Sequence, residues 1–149
     1  MATLRLCTIG FTKKSAATFF TLLKNHGVGC LIDIRLHPNG QLAGFARQDD
    51  LAYFLAYLAD CDYRYLPELA PDATLLSTYR ADHDWVTYAR QFEALMDARN
   101  IPQALDRSLF TARTCCLLCS EATPEQCHRR LVAERLQHHW PDVVIEHLV

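Results

Sequence analysis

Residues 4–34 read LRLCTIGFTKKSAATFFTLLKNHGVGCLIDI, and this stretch predicts the fold class. Residues 4–9 and residues 28–34 are short apolar runs of the kind that form buried strands. Between them, Ser15 can cap a helix whose apolar side chains recur at helical spacing, and Gly27 can end it. A strand, a helix and a second strand of these lengths predict a parallel βαβ unit.

The same alternation continues to the end of the chain. Thr123 is the predicted N-cap of the last helix, and Pro124 its first residue. Strands that alternate with helices predict a Rossmann-like three-layer α/β fold with a mostly parallel sheet of about five strands. The further predicted strands are residues 63–66, 114–118 and 143–145, and the further predicted helices are residues 51–58, 72–80, 85–96, 101–110 and 124–139.

Composition limits the classes of protein to which the chain can belong. It has 149 residues, of which 50% are apolar and 21% charged, which predicts one soluble globular domain over residues 1–149. A formal net charge of -2 disfavours general binding to nucleic acids. No apolar run approaches about 18 residues, so we predict no membrane span. Seven cysteines without a visible secretory signal predict reduced thiols and a cytoplasmic location.

Polar side chains follow three of the predicted strands or lie at the start of the last helix. The residues at these places are Gly10 and Thr12 after the first strand, Asp33 and Arg35 at the close of the second, Cys119 and Glu121 at the close of the fourth, and Cys127, His128 and Arg129 in the helix that follows. Ligand crevices in open parallel sheets lie at the carboxyl ends of the strands. We therefore expect these side chains to share one crevice.

Cys119 and Cys127 are the candidate reactive thiols. A helix N-terminus and a nearby cation such as Arg129 stabilise a thiolate, and the predicted start of the last helix supplies both. Either cysteine would then act as a nucleophile or redox thiol, with Glu121 or Asp33 as acid or base. The alternative is that both thiols are small core residues, since free cysteine is among the most buried residue types.

The predicted residues for binding a substrate or anion are Gly10, Thr12, Arg35, His128 and Arg129. Arginine suits this role because its guanidinium grips phosphate or carboxylate through two hydrogen bonds. For Arg35 an alternative stays open. Asp33 lies two residues earlier on the same face of the strand, so the two charges can pair with each other instead of with a ligand.

A zinc site is the competing chemistry for the cysteines. Cys116 and Cys119 have CxxC spacing, and Cys127 and His128 could complete a set of four ligands. However, an odd separation along a strand turns Cys116 and Cys119 to opposite faces. We therefore predict no metal ion and no cofactor.

Two classes of function fit these residues better than a metal-stabilised structural module. The first is an enzyme that acts on a small anionic or nucleotide-like substrate. The second is a nucleotide- or nucleic-acid-binding module without covalent chemistry. The sequence has no G-x-G-x-x-G motif after its first strand, no P-loop and no G-x-S-x-G motif, which excludes dinucleotide, P-loop and serine-hydrolase chemistry of the usual kinds. It predicts neither the reaction nor the oligomeric state.

Four segments resemble the family catalogued as domain of unknown function 488, and the match covers nearly the whole chain. The segments are TIGFT at residues 8–12, DIR at 33–35 with Pro38, YLPEL at 65–69, and LLCSE at 117–121 followed by CHR at 127–129. The chain departs from the family at Phe11, where many members have His, and at Ala70, where many have Gly. The resemblance implies a compact, cytoplasmic, Rossmann-like α/β protein, and it favours the Asp, Arg and Glu positions as ligand-binding residues. It supplies no reaction.

Overall fold

A five-stranded parallel sheet lies at the centre of the structure, a computed structural model that describes residues 3–39, 44–121 and 123–149. The strands are β1 (Leu4–Gly10), β2 (Cys30–Asp33), β3 (Asp62–Tyr65), β4 (Cys115–Cys119) and β5 (Val143–Leu148). Their order is β3-β2-β4-β1-β5, and every neighbouring pair is parallel. The α/β fold with a parallel sheet is therefore confirmed.

Helices flank the sheet. They are α1 (Ala16–Asn25), α2 (Gln48–Phe54), α3 (Ala73–Asp82), α4 (Trp85–Ala98), α5 (Arg107–Ala112) and α6 (His128–His139). A π-helical turn (Leu55–Ala59) extends α2, and two short 3₁₀ turns lie at Gly44–Ala46 and Pro67–Leu69. In the described part of the chain, no helix combines the length and the apolar character that crossing a membrane requires.

The strands carry apolar side chains on both faces, because helices cover both sides of the sheet. On one face, alternate residues such as Leu6 and Leu117 pack with α3, α4, α5 and α6; we call this the α6-side core. On the other face, Cys7, Ile9 and Cys116 pack with α1, α2 and the π-helical turn; we call this the α1-side core. Each face therefore buries its own hydrophobic cluster, and both clusters use the same strands.

Helix α1 forms where the sequence predicts it. The Ser15 side chain accepts the Thr18 backbone N–H at 3.1 Å, which satisfies one of the free donors at the start of the helix. Gly27 has a φ of 66°, a left-handed conformation that glycine adopts without strain, and it turns the chain after the helix. The βαβ prediction thus follows from local chemistry at both ends of one helix.

The predicted helix over residues 101–110 is wrong in its first half. The structure has turns at residues 101–104, and α5 begins only at Arg107. Proline disfavours the helical conformation for the residue before it, so Pro102 opposes a helix through Ile101. Asp106 then has extended backbone and caps α5 by accepting the Ser108 N–H at 3.0 Å.

The predicted start of the last helix is also wrong. Helix α6 begins at His128, four residues after Pro124, and Cys127 is its N-cap residue with φ -137° and ψ 140°. The carbonyl of Pro124 accepts the Cys127 N–H at 3.2 Å, which closes a turn before the helix. As a result Cys127 lies at the junction between turn and helix and not one turn inside the helix.

Candidate functional site

A cavity of about 530 Å³ opens at the carboxyl ends of the strands. Its wall comes from segments that are distant in the chain: the end of β1, the residues after β2, helices α3 and α4, and the segment from the end of β4 to the start of α6. Five of the predicted site residues line it: Arg35, Cys119, Glu121, Cys127 and His128. The volume is within the range of a small-molecule site.

Two thiols and one imidazole meet in this wall. The ligand atoms of Cys119, Cys127 and His128 all lie within 4.8 Å of one another, and all three residues are buried. His128 Nδ1 is 3.4 Å from the Cys119 sulfur, and His128 Nε2 is 2.7 Å from the Ile34 carbonyl oxygen. Because a carbonyl oxygen can only accept, Nε2 carries a proton and donates it, and in the neutral imidazole the Nδ1 lone pair then faces Cys119.

Arg129 lies behind the thiols and has no exposed surface. Its Nη1 donates to the Glu121 carbonyl at 2.6 Å and lies 3.7 Å from the Cys127 sulfur, while its Nε is 3.4 Å from the Thr8 hydroxyl oxygen. Its Nη2 is buried without a hydrogen-bond partner. Among the described residues, no carboxylate forms an ion pair with this guanidinium. The Cys127 sulfur is in contact with this guanidinium, and the charge of Arg129 also acts on Cys119.

Cys119 and Cys127 differ in the ease with which each thiol loses its proton. Burial raises the pKa of Cys119, but the Cys127 thiol, the Arg129 guanidinium and the backbone N–H groups of Glu121 and Ser120 outweigh it, and the net pKa is lowered. Burial raises the pKa of Cys127 well above its ordinary value, and the neighbouring Cys119 sulfur raises it further. Of the two thiols, Cys119 therefore loses its proton more readily than Cys127.

Arg35 and Asp33 form a buried bidentate ion pair at the end of β2. Arg35 Nε and Nη2 donate to the two carboxyl oxygens of Asp33 at 2.8 and 2.7 Å. The Tyr63 hydroxyl donates to the same carboxyl group at 2.6 Å, and the guanidinium carbon of Arg35 stands 5.4 Å from the centre of the Phe11 ring. These contacts hold Arg35 in one orientation in the cavity wall.

Four predicted site residues do not line the cavity: Gly10, Thr12, Asp33 and Arg129. Asp33 supports Arg35, and Arg129 lies behind the thiols. Gly10 allows close packing, since a Cβ added there would stand 1.5 Å from the Glu121 carbonyl oxygen and 2.7 Å from Arg129 Nη1. The Thr12 N–H donates to the Ser120 carbonyl at 3.1 Å, which ties the segment after β1 to the segment after β4.

The four-ligand zinc set considered from the sequence does not assemble. Cys116 has no exposed surface and belongs to the α1-side core, whereas Cys119 faces the cavity. The alternation along β4 is confirmed, because Cys115 and Leu117 lie in the α6-side core and Cys116 and Leu118 in the α1-side core. Cys119, Cys127 and His128 remain together without Cys116, as three donors that could hold a metal ion.

Other site contacts were not predicted from the sequence. Tyr63 reaches Asp33 because β3 pairs with β2, and Tyr79 and Tyr88 form one cavity wall with ring centres 4.8 Å apart. Tyr63 and Tyr65 are two residues apart and share one face of the strand, which is a sequence signal for the contact between Tyr63 and Asp33. The approach of α3 and α4 to the strand ends has no comparable sequence signal.

Comparison with known proteins identifies a family for this chain. No curated protein and no solved structure shows a significant match to the chain. The sequence profile of a family described as Domain of unknown function DUF488 matches residues 15–136, which is most of the chain. The matched region contains the ends of β2 and β4 and the start of α6, which supply Arg35, both thiols and His128. The chain therefore belongs to this family, the one that its motifs resemble.

Proposed function

We propose that this protein is a thiol-dependent enzyme that acts on a small anionic substrate in the cavity, with Cys119 as the nucleophile. The observation that carries the proposal is the buried guanidinium of Arg129, which stands beside the two cysteines without a carboxylate partner among the described residues. An unpaired buried charge costs several kcal/mol, about 3 or more where one partner of a buried pair is missing. A thiolate on Cys119 supplies the missing negative charge.

The surrounding side chains fit the other steps of such a reaction. His128 Nδ1 faces the Cys119 sulfur and can accept the thiol proton, and the Ile34 carbonyl holds the imidazole in that orientation. The sulfur then attacks the electrophilic atom of the substrate and displaces a leaving group. The proton that His128 has taken from the thiol goes to that leaving group, and Glu121, which has an exposed side chain in the cavity wall, can act as the base in a later step that frees the sulfur.

Arg35 is the proposed anion-binding residue. It lines the cavity, it is almost wholly buried, and its orientation is fixed by Asp33. Asp33 is therefore a positioning residue that acts through Arg35 and not an acid or base that touches the substrate. A guanidinium fixed in this way needs little reorganisation when an anion binds.

The test compares two alkylating reagents of nearly the same size at Cys119. Iodoacetate is an anion and iodoacetamide is neutral, so a site that recruits anions should react faster with iodoacetate, the reverse of the usual order for a thiolate. Inorganic phosphate or a nucleoside monophosphate should slow both reactions by occupying the cavity. Arg35→Gln should abolish the preference for iodoacetate, whereas Arg90→Gln, an exposed arginine outside the cavity wall, should leave it unchanged.

The outcomes separate the enzyme from the binding module. If phosphate or the nucleotide binds but Cys119 reacts with neither reagent in the folded protein, the thiol is not a nucleophile and the cavity is a binding site only. A nucleic-acid interface built on Arg129 is not favoured, because that side chain has no exposed surface.

A further inference from the structure

We propose that Cys119, Cys127 and His128 form a three-ligand site for a zinc-like soft metal ion, whose fourth coordination position opens into the cavity. The sequence argued against a four-ligand structural zinc site because Cys116 lies on the other face of β4. That argument does not apply to the remaining three residues, which the turn before α6 brings together. The proposed ion binding does not depend on the enzymatic function proposed above.

The donor atoms have the identity that zinc requires, and their spacing is close to it. Two thiolates and one imidazole, with a fourth position for water or substrate, is a ligand set that proteins use for catalytic zinc. With Zn–S distances of about 2.3 Å and Zn–N distances of about 2.0 Å, tetrahedral ligands stand about 3.5–4 Å apart. The three donor atoms lie within 4.8 Å of one another, so shifts on the order of 1 Å would complete the site.

The orientation of His128 is the most specific evidence for this site. Histidines that bind metals almost always donate their other ring N–H to a carbonyl or carboxylate oxygen, which fixes the tautomer and aims the free nitrogen at the metal. His128 Nε2 makes this contact with the Ile34 carbonyl at 2.7 Å, and the Phe92 ring packs against the imidazole with centres 5.6 Å apart. The Nδ1 lone pair is therefore held toward the sulfurs.

Contacts around the sulfurs fit thiolate ligands as well. Arg129 Nη1 lies 3.7 Å from the Cys127 sulfur, and an N–H donor of this kind orients a thiolate and stabilises its charge. All three ligand residues line the cavity wall, so an ion among them would face the open volume of about 530 Å³. This geometry leaves one coordination position free, as in a catalytic or inhibitory site and unlike a closed structural one.

Metal binding should slow the alkylation of Cys119, since the ion would withdraw electron density from both thiolates. Bound zinc would therefore act as a reversible block of the proposed nucleophile. Separate measurements test the two proposals. Alkylation of Cys119 in the metal-free protein tests the enzymatic function, and the affinity for zinc tests the three-ligand site.

The experiment is a calorimetric titration of the full chain with Zn²⁺ after reduction and removal of metal with EDTA. We expect one Zn²⁺ per chain, and we expect Cys127→Ser and His128→Gln to weaken binding at least about 100-fold, the upper end of the loss seen for residues that only support a ligand. Cys116→Ala removes a thiol from the same strand but from the other face, and it should bind as the wild type does. Added Zn²⁺ should also slow alkylation of Cys119, and EDTA should restore it.

Co²⁺ gives a readout that needs no variant. Bound by the two thiolates in the wild-type chain, it should show thiolate-to-cobalt charge-transfer absorption, which Zn²⁺ should remove by displacement. Absence of stoichiometric Zn²⁺ binding, absence of this absorption, or an affinity that falls as far in Cys116→Ala as in Cys127→Ser would each overturn the proposal.

Discussion

Gly10 is the residue at which the site tolerates the least change. An added Cβ would stand 1.5 Å from the Glu121 carbonyl oxygen, and that carbonyl is fixed because it accepts from Arg129. We expect Gly10→Ala to lower the free energy of unfolding by at least about 2 kcal/mol, as overpacking of a rigid contact does. Gly44→Ala is the matched control, because nothing lies within 4 Å of a Cβ added there, and its change should stay within about 0.5 kcal/mol. Equal effects in urea unfolding would contradict this.

Tyr63 supports Asp33 through one hydroxyl group. Its hydroxyl donates to the Asp33 carboxyl at 2.6 Å in a partly buried position, whereas the Tyr65 hydroxyl lies 3.4 Å from the Leu36 carbonyl oxygen. Tyr63→Phe should therefore cost about 2 kcal/mol, the usual value for a hydrogen bond to a charged group. Tyr65→Phe should cost much less. Chemical denaturation of the two variants checks this, and a larger loss in Tyr65→Phe would show that the Asp33 contact is not the stronger one.

Single residues explain why part of the site could be predicted. Arg35 lies just after one apolar strand and Cys119 ends another. Parallel strands bring their carboxyl ends to the same edge, so the sequence indicates where these two residues lie. The position of Arg129 behind the thiols could not be predicted in this way. It depends on α6 starting at His128, a shift of four residues from Pro124 that turns the side chain toward Thr8 and Cys127.

At the scale of elements, the observed helix α5 and a single helix over residues 101–110 predict opposite changes in stability for one substitution. In the structure Asp106 caps α5, accepting the Ser108 N–H at 3.0 Å and its hydroxyl at 2.6 Å. Asp106→Ala should therefore destabilise the protein. If residues 101–110 were one helix, Asp106 would be an interior residue and alanine would stabilise it through its higher helix propensity. The urea midpoint of the variant decides between the two.

The pH dependence of the same variant gives a second check. The Ser108 hydroxyl and N–H lower the pKa of Asp106 below its ordinary value. A carboxyl group with a lowered folded pKa stabilises the protein above its unfolded pKa of about 3.9, and this contribution is lost as the pH falls through the folded value. The difference between wild type and Asp106→Ala should therefore be present at neutral pH and should shrink in acid. A difference that grows in acid would exclude the capping role.

Element boundaries were the part of the fold that the sequence predicted least well. Ser15 and Gly27 bound α1 by their own local chemistry, and that helix matches its prediction. Thr123 and Pro124 carry equally good local signals for a helix start, yet the chain makes a turn there that places Cys127 beside Cys119. Long-range packing decides the second case, and no local pattern records it.

At the scale of the whole molecule, the two cores on either side of the sheet should unfold together. Both are built on the same strands, so neither can persist once the sheet is lost. Trp85 and Trp140 pack against the α6-side core, and Cys7 and Cys116 lie in the α1-side core. Tryptophan fluorescence and the exposure of these two thiols should therefore change at the same urea concentration. Exposure of Cys7 and Cys116 at a lower concentration would indicate two separate units and contradict the prediction of a single domain.

The most direct measurement is the order in which the seven cysteines of the native, metal-free chain react with iodoacetamide near neutral pH. Cys119 lies in the cavity wall and has a lowered pKa. Burial raises the pKa of Cys7 to about 11 and that of Cys61 to about 12. Cys30 is the internal competitor, because a hydrogen bond with Cys115 lowers its pKa and it lines a second cavity.

Mapping of the labelled peptides over time should show the Cys119 peptide modified first, while the protein is still folded by circular dichroism. We expect that result because Cys119 lies in the open cavity and the neighbouring Arg129 guanidinium lowers its pKa. Labelling of Cys30 first, or no labelling of Cys119 until the protein unfolds, would contradict the assignment of Cys119 as the nucleophile.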